Sequence, residues 1–140
     1  MRIALAFCLF AHPALAWEFT ARPICTLSHA EDGASMAVTY NPAAEEPYAI
    51  TVTGPALLPV EPVFSIDFAG PRALTISTDR HVVTGNTLTV TDHGFGNVLN
   101  GLEFNDTATA SLNAAPLRFG LDGIAEPMAK FRACLTTPIA

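Results

Sequence analysis

The amino-acid sequence predicts a β-rich α+β fold, a mainly antiparallel sheet or sandwich with one or two short helices near the C-terminus. Three observations predict it. Apolar and polar residues alternate with a period of two in several short runs. Glycine, proline and asparagine separate those runs. Two late segments change to the three-to-four-residue spacing of a helix, each with a glycine ahead of its apolar stripe.

The strands come first. Residues 35–40 set Met36, Val38 and Tyr40 on one side, with Ala37 blurring the pattern, and residues 48–52 alternate more cleanly. Residues 63–68 put Phe64, Ile66 and Phe68 on one face and Ser65 and Asp67 on the other. Leu74 to Ile76 and Leu88 to Val90 repeat the alternation. Half-buried antiparallel strands require this pattern, because successive side chains point to opposite faces of the sheet. Turns are expected at Asn41 and Pro42, Gly54 and Pro55, Gly70 and Pro71, Gly85 and Asn86, and Asn113. Residues 54–62 hold Pro55, Pro59 and Pro62. Proline has no N–H for a ladder, so this stretch reads as a connection or a guarded edge rather than a proline-recognition motif.

The helical segments are 92–102 and 121–135. In the second, Ile124, Met128, Phe131 and Leu135 form one stripe. Asp122 is the expected N-cap and Pro127 the expected first regular helical position. In the first, Phe95, Val98, Leu99 and Leu102 have similar spacing, but glycines and asparagines leave a weak helix that needs packing to hold it. The two segments align at an offset of 29 residues: Leu88 with Leu117, Val90 with Phe119, Gly94 with Gly123, Phe95 with Ile124, Leu99 with Met128, Leu102 with Phe131. Each unit reads as strand, glycine turn, short amphipathic helix.

Residues 88–102, with Leu88, Val90, Gly94, Phe95, Val98, Leu99 and Leu102 as their fixed points, resemble the closing strand–Gly–Phe–helix segment of the invasion-associated locus B family of small exported proteins of Gram-negative bacteria. An opening Trp17 with a cysteine soon after it is similar too. The chain departs from that family in lacking its paired mid-chain cysteines. The resemblance implies an envelope role without a catalytic residue.

Export is also read from the residues themselves. Arg2 precedes an apolar run from Ile3 to Ala11, Pro13 breaks it, and Ala14-Leu15-Ala16 supplies the small-x-small pattern of a cleavage site. Residues 1–16 are the expected signal peptide and 17–140 a single β-rich domain, periplasmic or secreted. The apolar run is far short of the ~20 residues of a spanning helix, so no transmembrane anchor is expected in the mature chain. Phe7 before Cys8 argues against lipidation there. Cleavage leaves Cys25 and Cys134, an even count in an oxidising compartment, and the expected site pair is therefore a Cys25–Cys134 disulfide. Its Cα atoms should lie about 4.4–6.8 Å apart, and the bridge should be worth ~2–4 kcal/mol.

Half of the sequence is apolar, which excludes a disordered chain. Without Arg2, six cations stand against thirteen carboxylates, and no two cations are adjacent. Such an acidic chain is not expected to bind nucleic acid. The three remaining histidines, His29, His81 and His93, read as solvated turn residues, and they lack the spacing of a metal site. No residue is assigned a catalytic, metal or cofactor-binding role, and no cofactor is expected.

The leading function is a non-enzymatic protein that binds an envelope or secreted partner. Two alternatives stand beside it. One is a small periplasmic hydrolase using Ser77, Asp79 and His81, whose alternation would place them on one strand face. The other is a carrier of a small apolar ligand inside the sandwich. Intact-mass analysis of exported protein is expected to give a chain beginning at Trp17. A chain that retains Phe7 or Phe10, or a lipid mass on Cys8, would overturn the export reading.

Overall fold

The structure is a computed structural model that describes residues 16–112 and 115–136. Residues 1–15 of the expected signal peptide lie outside the described residues, as does the turn expected at Asn113.

Two antiparallel sheets and two helices make up the fold, the β-rich α+β class expected. In the larger sheet the strand order is β1 (Glu18–Thr20), β2 (Cys25–Glu31), β3 (Ala34–Tyr40), β4 (Tyr48–Thr53), β8 (Thr87–Asp92) and β7 (Val82–Thr84). In the smaller sheet it is β10 (Ala115–Gly120), β9 (Thr107–Leu112), β5 (Phe64–Ala69) and β6 (Leu74–Thr78). The helices are α1 (Gly96–Glu103) and α2 (Ala125–Thr136). Period-two patterning marked β3, β4, β5, β6 and β8 individually. It did not single out β1, β2 or β7.

Turn chemistry sets the hairpins. Glu31 stands opposite Ala34, so Asp32 and Gly33 alone join β2 to β3, both with positive φ (51° and 78°). Asp-Gly suits such a two-residue turn, whose twist matches that of the strands it joins. Register then follows from the buried face. Leu27, Met36, Val38, Val52 and Leu88 of the larger sheet meet Phe64, Ile66, Phe68, Ala108 and Phe119 of the smaller, all buried. Full burial is worth roughly 1.5–3 kcal/mol per large side chain. A one-residue slip would send any of these rows to solvent, which is why the register is unique.

The prolines of 54–62 sit in the connection from β4 to β5, which runs beside β7, the last strand of the larger sheet. Leu58 N–H donates to Gly85 C=O (3.0 Å), and the His81 ring donates from Nε2 to Glu61 C=O (2.7 Å). The connection thus covers a sheet edge, as the prolines implied.

The strand–turn–helix units at 88–102 and 117–131 have matching geometry. Leu99 N–H donates to Phe95 C=O and Met128 N–H to Ile124 C=O, both at 2.8 Å. Phe95, Leu99 and Leu102 are buried, and so are Ile124, Met128 and Phe131. Each helix crosses to the other sheet: α1 follows β8 but contacts β6 and β9, and α2 follows β10 but contacts β1 and β2. α2 begins at Ala125, so Asp122 lies too far ahead to be its N-cap and Pro127 falls within the first turn rather than opening the helix. The first-turn N–H groups have no intrahelical acceptor, so proline's missing donor costs nothing there. Arg132 of α2 ties the helices together, with Nε donating to Glu103 Oε1 (2.7 Å) and an Nη donating to Asn100 Oδ1 (3.0 Å).

Cys25 and Cys134 are disulfide-bonded with Cα atoms 6.1 Å apart, as expected, joining the start of β2 to the last turn of α2. A second fixed point is Asn105, buried just after α1. Its side-chain amide donates to Arg72 C=O and Gly101 C=O and accepts from Arg72 N–H, so the β5–β6 turn is pinned to α1.

α1 lies so close to β5 that a Cβ at Gly101 would stand 2.5–2.7 Å from the Phe68 ring. Gly101→Ala gains about 1 kcal/mol of helix propensity but overpacks a walled ring, at about 1–3 kcal/mol. The overlap wins because Phe68 is itself fully enclosed. Gly101→Ala is expected to lower the urea midpoint, while Gly96→Ala, whose Cβ meets nothing within 4 Å, leaves it unchanged or raises it.

Candidate functional site

The polar residues singled out in the sequence separate in space. β6 ends at Thr78, so Ser77, Asp79 and His81 do not share a strand face. Ser77 Oγ is hydrogen-bonded to Ser65 Oγ (2.8 Å) across the exposed side of the β5–β6 hairpin. His81 is spent on the Glu61 carbonyl, with its ring 6.1 Å from that of Phe64. No described contact joins the serine to the imidazole or to Asp79. The hydroxyl therefore lacks a base within reach, which nucleophilic catalysis requires.

His29 is not a solvated turn residue. It is 8% exposed, because the alternation of β2 carries Cys25, Leu27 and His29 to the inner face. Trp17 stacks on its ring at 5.0 Å and 21°. His29 Nε2 donates to Glu31 Oε2 (3.1 Å), and the same oxygen accepts Gly120 N–H (2.8 Å). Trp17 Nε1 donates to Gly120 C=O (2.8 Å). Both backbone groups of Gly120, the last residue of β10, are thus held by side chains of the opposite sheet's edge. The Gly120 N–H holds the Glu31 carboxyl below its usual range against an opposing effect of partial burial, with smaller help from His29 and Arg118. No thiol or hydroxyl joins this group. Its chemistry is that of a clasp. Sequence reading placed Trp17 at the mature N-terminus, took His29 and the neighbouring Glu31 for solvated turn residues, and did not single out Gly120. The Asp-Gly turn at 32–33 was the signal that would have set β2 in register and His29 inside.

His93 is exposed, and Asp92 Oδ1 accepts its backbone N–H (2.7 Å). Among the described residues no group of three His, Cys, Asp or Glu side chains is placed to hold a metal ion. Nor, among the described residues, is any helix long and apolar enough to cross a membrane.

Two features of the surface remain. The first is a cleft of about 510 Å³ where β6 faces the second half of β8 beneath the start of α1. Ile50, Ile66, Ile76, Val90, Phe95 and Val98 supply most of its apolar wall. The second is an apolar strip on the proline-bearing connection. Leu57 is 81% exposed, Val60 85% and Val63 50%, and Val82 of neighbouring β7 is 63% exposed. Burial along the connection repeats every third residue: Leu58, Glu61 and Phe64 turn inward while Leu57, Val60 and Val63 turn out. That is the period of an extended left-handed segment, favoured by its prolines.

No family model, curated protein or solved structure matches this chain.

The clasp has a pH signature. A carboxylate whose folded pKa is depressed contributes stability that is fully present above its unfolded value, near pH 4.3, and is lost as pH falls through the folded value. Glu31→Gln is expected to cost about 1 kcal/mol at neutral pH, a figure kept small because 35% of the side chain is exposed. Melting temperatures should converge between variant and wild type as pH is lowered from 5 toward 3. A constant gap across that window would show that the charge contributes nothing.

Proposed function

We propose that this is a non-enzymatic exported protein that binds an envelope or secreted protein partner through the apolar strip at Leu57, Val60, Val63 and Val82. The observation that carries the reading is their joint exposure on a segment held against the fold. Leu58 and Glu61 are bonded to the β7–β8 hairpin and to His81, and prolines occupy the intervening positions. A partner therefore meets apolar side chains already ordered, and little chain entropy is lost on binding. Covering each aliphatic side chain is worth roughly 1.5–3 kcal/mol before association costs. Large apolar side chains exposed together along one segment are a feature of interaction sites.

The export expected from the sequence supports the same reading. The leader pattern at 1–16, the Cys25–Cys134 disulfide and the acidic composition fit a periplasmic or secreted location. The resemblance to the invasion-associated locus B family points to the same compartment and to a role without a catalytic residue.

A photo-crosslinking residue placed at position 60 is expected to give a discrete adduct in cells. The same residue at Ala129, exposed on α2, should give none. Leu57→Asp combined with Val82→Asp should reduce the adduct to background without shifting the melting temperature. Equal adducts from both positions, or none from position 60, would defeat the partner reading.

A further inference from the structure

The cleft between β6 and β8 is separate from the strip and poses its own chemical question. It is bounded by the inner faces of both sheets (Ile50 and Val90 on one side, Ile66 and Ile76 on the other) and closed above by Phe95 and Val98. Its volume, about 510 Å³, falls in the ~300–1,000 Å³ range of small-molecule sites, which share this pattern of an apolar wall with a few polar groups. Those groups are contributed by Thr78, Asn97 and Asp92, while Ser77 turns its hydroxyl to Ser65 on the outer side of the hairpin.

Charge narrows the ligand. Among the described residues that line the cleft there is no cation, and the charged one is Asp92. Arg80 reaches its rim, with its guanidinium paired with Glu46 and 3.8 Å from Asp92 Oδ1. One positive charge between two carboxylates leaves the rim net negative, so a carboxylate or phosphate headgroup entering it would meet repulsion and lose its hydration without a partner. A cationic headgroup would meet a carboxylate already engaged by Arg80 and by the His93 N–H.

We propose that this cleft binds a small neutral amphiphile: a short aliphatic body against Ile50, Ile66, Ile76 and Val90, with a hydroxyl or similar uncharged polar end at the Thr78 and Asn97 rim. This is independent of the partner reading, since the strip lines no part of the cleft.

The test uses 1-octanol and octanoate, which share a chain length and differ in headgroup charge, titrated calorimetrically into the exported, disulfide-bonded protein at pH 8. Saturable binding of octanol at one site is expected, with octanoate at least tenfold weaker. Asp92→Asn should narrow that gap, and Ile76→Trp, which fills the cleft from an edge strand, should weaken octanol at least tenfold. A variant-free readout guards against misfolding. Octanol should shift the methyl resonances of Ile50, Ile66 and Val98 and leave those of Leu57 and Val60 in place. Equal affinity for the two probes, absence of saturable octanol binding, or shifts confined to Leu57 and Val60 would overturn the proposal. The last outcome would assign the strip as the apolar site.

Discussion

Gly120 is where the two sheets are locked together along one side. A sandwich has two open seams, and each exposes core to water unless something crosses it. Here the crossing is polar: Glu31 takes the N–H of Gly120, Trp17 takes its C=O, and His29 fills the space between them. The arrangement pairs both backbone groups of Gly120 at the half-buried end of β10. It also defines where the chain can turn into α2. That helix then lies across β1 and β2 with the disulfide at its far end.

The opposite seam is closed differently. α1 crosses from the larger sheet to the smaller and packs through Gly101 onto Phe68, while Asn105 binds the β5–β6 turn behind it. The closure leaves the cleft beside β6, because α1 is short and its first turn carries glycine and asparagine in place of bulk. The Arg132 contacts with Glu103 and Asn100 connect the two closures, so the helices act as a pair although each is anchored to a different sheet. With His29, Glu31, His81 and Asn105 all engaged in holding the fold, the apolar strip and the cleft are features of the surface that these contacts do not use.

Much of this was legible from local pattern. Phe64, Ile66 and Phe68 alternate because a half-buried strand demands it, and the structure buries all three. Ile124, Met128 and Phe131 recur at helical spacing and are buried, Met128 and Phe131 on α2 and Ile124 just ahead of it. The 29-residue echo foretold two strand–turn–helix units. It could not say that each helix packs on the other sheet, since crossing is a property of the assembled sandwich. Asp122 looked like a cap because capping residues are common before helices, but the turn at Leu121 to Ile124 occupies the place where its side chain would have acted.

By itself, then, the sequence determined the strand-rich class, the faces of the best-patterned strands, the stripe of α2 and the Cys25–Cys134 pairing. These depend on side-chain periodicity and on a count of thiols, both local to the chain or exhaustive over it. Only the tertiary structure decided that His29 is buried, that Ser77 and His81 serve different partners, that Gly120 receives two side chains from far away, and that Leu57, Val60 and Val63 face out together. Trp17 and Gly120 are 103 residues apart, and their hydrogen bond exists only because one sheet edge is folded against the other. No periodicity within either segment encodes that distance.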